Sequence, residues 1–441
     1  MSDTIYALST GTGRAGLAVI RLSGSTAADA VCSLTRRELP VARTATRRRF
    51  LTKDGSDVID EGLLLWFPGP NSFTGEDVAE FHVHGGTAVI DTILSALGDC
   101  LGTRLADPGE FTKRAFLNNK MDLTAAEGLA DLIDAETASQ RRQALRQSEG
   151  ALGEVYEAWR QRLITCLAHI EAAIDFPEED LSLSLIFEDR TKILRLIEDI
   201  TQYIDDSKVG ERLRNGIEVA IVGPPNSGKS SLLNVLAGRE AAIVSEIAGT
   251  TRDVIEVRMD LGGFPVTLSD TAGIREASNE IEAEGIRRGY KRSEQADIRV
   301  IVFDAGDPSY LSDKFFELER AFTILNKMDM VDVARPVPVG ELGVFEMSLR
   351  TGIGLDSFVS ELAAVVSKRF DSGAAPLITR ARHREAAVAC LVALRRALET
   401  SMPELIAEDL RLAMRAIGRV TGSVDVEDLL DIVFQDFCIG K

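Results

Sequence analysis

The stretch Gly223-Pro224-Pro225-Asn226-Ser227-Gly228-Lys229-Ser230 has the residue types and spacing of a phosphate cradle, G-x-x-x-x-G-K-[ST]. In such a loop the backbone N–H groups converge on the anion, and the helix that follows adds its partial positive charge. Lys229 is expected to reach the terminal phosphates and Ser230 to ligate Mg²⁺. Asn226, Ser227, Gly228 and Ser231 complete the predicted nucleotide contacts. The motif needs a strand before it and a helix after it. The apolar run Ile217 to Val222 predicts the strand, and Leu232, Leu233 and Leu236, with Gly238 as a stop, predict the helix. A nucleoside triphosphate is the expected ligand.

Further along, the spacing of polar groups selects the base. Gly249-Thr250-Thr251-Arg252-Asp253 stands where a first switch would, with a threonine hydroxyl able to complete Mg²⁺ coordination. Two strands, 254–261 and 264–269, are predicted to meet at Gly262-Gly263 and to end at Asp270-Thr271-Ala272-Gly273. There Asp270 would hold the Mg²⁺ shell and Gly273 would sense the γ-phosphate. Asn326-Lys327-Met328-Asp329 closes the strand Phe322 to Leu325 and resembles the guanine-reading motif of GTPases. Its aspartate accepts from both the N1–H and the 2-amino group of guanine, a pair of donors that adenine lacks. Ser348-Leu349-Arg350 falls where a second base-contacting loop would lie. The hydrolytic group is less apparent, because Ile274 follows Gly273 where Ras-like enzymes place a water-orienting Gln. Arg275, Glu276, Glu280 and Glu282 are all near enough to replace it. Arg252, Arg275 or a bound cation could supply transition-state charge, a contribution worth roughly 10³–10⁵ in rate from an arginine finger.

The 441 residues that carry these motifs read as several domains. Residues 1–118 alternate short apolar runs with glycine-rich breaks and predict an α+β domain of antiparallel strands, with helices near 26–34 and 86–98. Gly11-x-Gly13-x-x-Gly16 lacks the following helix of a dinucleotide fingerprint and reads as a turn between strands. His82 and His84 share one face of a strand, where packing is the expected role. Residues 119–215 and 373–441 are helical, and 216–372 form an α/β unit inserted between them. The fold class is therefore multidomain: α+β, all-α, and an inserted α/β P-loop domain. A net charge of −19 excludes a general nucleic-acid coat, leaving local arginine clusters such as Arg47-Arg48-Arg49 or a partner for any RNA contact. No apolar run approaches the roughly 20 residues that span a membrane. Met1-Ser2-Asp3-Thr4 lacks a basic secretory start, and five scattered cysteines make no disulfide frame, so a reducing cytoplasm is expected.

The nucleotide motifs occur together with Trp66-Phe67-Pro68-Gly69-Pro70-Asn71-Ser72-Phe73-Thr74-Gly75-Glu76-Asp77, Pro108-Gly109-Glu110-Phe111 and the terminal Cys438-Ile439-Gly440-Lys441. Through these strings the chain resembles the MnmE (TrmE) family of bacterial GTPases along essentially its whole length. The resemblance implies an N-terminal domain that dimerises and binds a 5,10-methylene- or 5-formyl-tetrahydrofolate through positions matching Arg21, Glu80, Lys120 and Lys441. It implies GTPase domains that pair when K⁺ binds, with Asn226 and the 245–250 segment (Ser245, Ile247 and Thr250) as the K⁺ ligands. Thr251 matches the Mg²⁺-binding switch threonine and Glu282 the water-orienting glutamate; Arg252 lies beside them, and Cys438 matches the tail thiol near the folate. With an FAD- and NADH-using partner, MnmG, in a heterotetrameric complex, the family modifies the wobble uridine of certain tRNAs. The rival expectation is a regulatory or ribosome-assembly GTPase, which would lack the N-terminal domain and the Cys-Ile-Gly-Lys tail.

Overall fold

Alternating side chains build the first sheet. In the computed structural model, strands β1 (Thr4–Leu8), β2 (Ala15–Ser23), β3 (Thr46–Leu51), β4 (Val58–Phe67), β5 (Val78–Gly85) and β6 (Thr103–Leu105) lie in the order β3-β4-β5-β2-β1-β6. The described residues are 3–176, 181–239, 256–270, 296–307, 319–331, 341–371, 373, 375, 378–424, 430, 433–434, 437 and 440, with backbone alone for 181–187. Ala18, Ile20 and Leu22 of β2, Leu64 and Trp66 of β4, and Phe81 and Val83 of β5 point to one face. Helices α1 (Ala27–Thr35) and α2 (Thr87–Gly98) cover that face. The opposite face carries Arg21, Glu80 and His82, with Arg21 of β2 in register with Glu80 of β5 and His82 two residues further along β5.

Several details differ from the sequence expectation. The sheet is mixed, because α2 returns the chain so that β6 pairs parallel to β1. Strand β3 had read only as a basic cluster, since Arg47, Arg48 and Arg49 hide its alternation; it is held by Phe50, packed edge-on against Phe81 at 5.4 Å. His84 is not a packing residue. Its side chain is 73% exposed and bonds Asp60 at 2.8 Å, whereas half-buried His82 pairs with Glu80 at 3.3 Å. The turn between β1 and β2 holds Gly11 and Gly13, but Gly16 already lies within β2.

The chain divides into two compact units, residues 1–130, 147–197 and 386–441 in one and 131–146 and 198–385 in the other. Beside the sheet, the first unit contains α3 (Glu110–Leu117), α4 (Leu123–Ile133) up to residue 130, and the helices Ala151–Asp175 and Pro403–Thr421. Its tail packs Phe434 and Phe437 against Leu123 and Ala126. Gly440 sits at φ +97°, and a Cβ there would come within 2.1 Å of the Leu8 carbonyl, so only glycine lets the tail approach β1 this closely. Ser9 Oγ donates to the Gly440 carbonyl at 2.9 Å. The tail is thereby anchored on the strand next to Arg21.

The second unit is a sheet in the order β12-β11-β10-β7-β9-β8: β7 Ile217–Val222, β8 Glu256–Leu261, β9 Phe264–Asp270, β10 Ile298–Asp304, β11 Ala321–Asn326 and β12 Val344–Glu346. All pairs are parallel except β8–β9. Residues 131–146 and 198–215 join this unit, although their periodicity is that of the helical segments. Polar contacts explain it. Thr137 and Gln140 form a capping box, Gln140 Oε1 accepting the Thr137 N–H at 3.1 Å. The adjacent Ser139 N–H donates to Gly263 O at 2.9 Å, and Gln140 Nε2 to Arg214 O at 3.2 Å. Asp131 accepts from Arg214 and Arg380, each at 2.8 Å.

One ion-pair network in the first unit has a pH signature. Glu110, with a side chain only 11% exposed, pairs with Arg104 at 2.6 Å and with Arg114 at 2.9 Å; Arg114 reaches on to Glu76 at 3.0 Å. Burial opposes ionisation of Glu110, but hydrogen bonds from Arg104, the Asp107 amide and Arg114 outweigh it and hold the carboxyl below its usual range. Its stabilising contribution is therefore complete above the unfolded-state value of about 4.3 and is lost as pH falls through the depressed folded value. Glu110→Gln should cost about 2 kcal/mol at neutral pH, with the gap to wild type narrowing on acidification below about pH 4. Denaturation curves between these conditions check it; a gap independent of pH contradicts it.

Candidate functional site

The phosphate loop springs from β7, a central strand of the second sheet, with β10 and β9 on its two sides. Parallel α/β sheets bind ligands at the carboxyl ends of such strands. Gly223 has φ +146°, and a Cβ on it would lie 2.2 Å from the Val302 carbonyl of β10. Gly228 has φ +107°, and its Cβ would lie 2.2 Å from Asn326 Nδ2. Both glycines of the motif are thus required by close backbone approach. The next residue, Lys229, opens the helix Lys229–Ala237, whose Leu232, Leu233 and Leu236 are buried.

The side chains converge as the spacing predicts. Lys229 is 5% exposed and its Nζ donates to Pro224 O, across the loop, at 2.7 Å. Burial lowers the Lys229 pKa, partly offset by Asp270, and a bound anion beside it would favour the ammonium form. Ser230 Oγ donates to Asp270 Oδ2 at 2.6 Å, bringing together the two oxygens expected to serve Mg²⁺. Ser227 Oγ is buried without a hydrogen-bond partner among the described residues, a polar atom that a bound phosphate would satisfy. The residues present fit a magnesium-bound nucleotide.

The base-reading side is assembled from three loops. Asn326, at the end of β11, donates through Nδ2 to Ser227 O at 2.9 Å and accepts the Leu349 N–H at 3.2 Å. Lys327 has φ +66° and donates to Asn226 O at 2.9 Å. Asp329 has both carboxylate oxygens engaged, Oδ1 by Ser348 Oγ at 2.6 Å and Oδ2 by Arg350 at 2.8 Å. The Ser348 hydrogen bond and, after it, the nearby Arg350 charge keep this carboxyl below its usual range against a desolvation penalty, so it is an acceptor at neutral pH. Asn326, Lys327, Asp329 and Arg350, with Lys229 and Ser230, line a cleft of about 640 Å³. The engagement of Asp329 by Arg350 goes beyond the sequence reading, which placed Arg350 only in a base-contacting loop.

Of the remaining expected site residues, Arg21 and Glu80 are brought together in the first unit. Arg21 donates to Glu80 Oε1 from Nε at 3.1 Å and from a terminal nitrogen at 2.9 Å. Phe73 and Phe111 stand 5.4 and 5.8 Å from its guanidinium, two aromatic neighbours that the spacing did not single out. Lys120 is exposed in the turn after α3 and adds no hydrogen bond to this pair. Ser245, Ile247, Thr250, Thr251, Arg252, Gly273, Glu282, Cys438 and Lys441 lie outside the described residues, as do Ile274, Arg275, Glu276 and Glu280.

Removing the Asp329 carboxylate and removing its arginine cover should have very different effects. Asp329→Ala should weaken GDP binding by roughly a hundredfold or more, since two buried donors of guanine lose their acceptor. Arg350, 78% exposed, forms a surface pair, and Arg350→Ala should shift GDP affinity by less than about fivefold. Titration of a fluorescent GDP analogue measures both.

Known families and proteins match the chain along its length. A model described as the MnmE helical domain matches residues 123–438, and one described as the GTP-binding protein TrmE N-terminus matches residues 4–120. A protein named tRNA modification GTPase MnmE from Parvibaculum lavamentivorans is 54% identical over 444 residues, covering 100% of both chains. Another of that name from Paramagnetospirillum magneticum is 51% identical, again over 100% of both chains. The human protein named 5-taurinomethyluridine-[tRNA] synthase subunit GTPB3, mitochondrial, is 45% identical across 99% of this chain and 93% of its own length. The chain belongs to the MnmE (TrmE) family.

Proposed function

We propose that the chain is a K⁺-activated GTPase that modifies C5 of the wobble uridine of certain tRNAs, using a one-carbon unit from a tetrahydrofolate. It acts as a cytoplasmic homodimer in complex with an FAD- and NADH-dependent partner of the MnmG type. The observation that carries the reading is the convergence of Lys229, the Ser230–Asp270 pair and Asp329 on one cleft. The names of the relatives, which span the full chain, supply the RNA. The domain scheme that goes with this reading is 1–118 for folate and dimerisation, 119–215 and 373–441 for the helical part, and 216–372 for GTP.

In this scheme Lys229 binds the terminal phosphates, and Asn326, Lys327, Asp329 and Ser348 select guanine. Ser230 and Thr251 would hold Mg²⁺, which neutralises phosphate charge. Asn226, with Ser245, Ile247 and Thr250, would hold K⁺, which supplies the positive charge given elsewhere by an arginine finger. Glu282 orients the attacking water in place of the missing Gln, and Arg252 would add positive charge to the transition state. Gly273 would sense the γ-phosphate. Arg21, Glu80, Lys120 and Lys441 hold the folate, with Phe73 and Phe111 supporting Arg21. Cys438 would act as a thiol beside them.

Turnover should be faster in K⁺ than in Na⁺ by roughly tenfold or more, because the smaller ion does not span the same carbonyl cage. Glu282→Ala should abolish phosphate release while leaving GTP binding intact. Steady-state phosphate release in matched chloride salts measures both, and equal rates in the two salts contradict the assignment.

A further inference from the structure

The strand β10 ends in an acid that none of the assigned roles uses. Asp304 lies in register with Asn326 of β11, so its side chain leaves the sheet beside the guanine-reading loop. One carboxylate oxygen, Oδ1, accepts the Gly306 N–H at 3.0 Å and fixes the turn that follows the strand. The other, Oδ2, accepts from Lys327 Nζ at 2.7 Å. The same ammonium donates to the Asn226 carbonyl in the phosphate loop at 2.9 Å. Lys327 and Asn226 are both non-glycine residues in the left-handed region, at φ +66° and +60°. That conformation is costly and persists where neighbouring contacts over-determine it. A lysine is long and flexible, so its ammonium stays on one carbonyl only where a second partner fixes it. Asp304 is 28% exposed and Lys327 35%, which shields their attraction from part of the solvent.

We infer that Asp304 is a positioning residue for nucleotide binding: through Lys327 it holds the Asn226 carbonyl, and so couples the base-reading loop to the phosphate-binding loop. The inference rests on reading this cleft as the guanine-nucleotide site. Asp304 is not among the residues that line the cleft. Its effect is to make the two loops one rigid receptor, so that binding energy is not spent in aligning them.

Asp304→Asn removes the charge but keeps an oxygen for the Gly306 amide, and so spares the turn. In the full-length protein this change should speed release of a fluorescent GDP analogue by about tenfold, as loss of one charge-assisted contact implies. In a Lys327→Met background the same change should have no further effect, since the partner it acts through is gone. The melting temperature of the nucleotide-free protein should move little in either case. GDP release within twofold of wild type in Asp304→Asn, or an undiminished effect in the Lys327→Met background, would overturn the inference while leaving the nucleotide site in place. A wild-type protein that binds no guanine nucleotide would overturn both.

Discussion

Two hydrogen bonds hold the nucleotide site together: Asn326 Nδ2 to Ser227 O at 2.9 Å and Lys327 Nζ to Asn226 O at 2.9 Å. They tie the loop after β11 to the loop after β7, and they exist only because β10 spaces those strands with parallel register on both sides. The apolar strands are the means of that spacing. Val219 and Ile221 of β7, Val300 and Val302 of β10, and Phe322 and Ile324 of β11 share one buried cluster. A layer of packed hydrocarbon thus sets where polar groups emerge at its edge. Gly228 is the residue that cannot vary in this scheme, since any Cβ there would displace the Asn326 amide.

The first unit uses a similar division of labour. One face of its sheet is packed beneath α1 and α2, and the other presents the Arg21–Glu80 pair beside Phe73 and Phe111. The network through Glu76, Arg114, Glu110 and Arg104 links the loop that carries Phe73 to α3. The C-terminal tail then crosses to β1, where Gly440 meets Leu8 and Ser9. Residues more than four hundred positions apart in the chain are brought together by a single small residue. The terminal Cys-Ile-Gly-Lys string acquires a physical reason for its glycine.

Much of this was legible in the sequence because burial leaves a periodic trace. The run Ile217 to Val222 reads as a strand because it is enclosed from both sides, and Asp329 reads as a base receptor because its neighbours in sequence carry the motif. Long-range polar contacts leave no such trace. The placement of residues 131–146 with the second unit depends on Ser139 meeting Gly263 and Asp131 meeting Arg214 and Arg380. Strand β3 was concealed by three consecutive arginines, and β6 by its shortness. Asp304 could have drawn notice as the acid ending the run Val300 to Phe303, but its partner is set by the register with β11.

The central claim is that nucleotide turnover in this cleft drives modification of a tRNA wobble uridine. Mass analysis of wobble nucleosides, in cells lacking the chain and in the same cells supplied with wild type or Lys229→Ala, tests it most directly. The account predicts that the C5 substituent disappears in the deletion, returns with wild type, and stays absent with Lys229→Ala. An unchanged substituent in the deletion, or full restoration by Lys229→Ala, would contradict it.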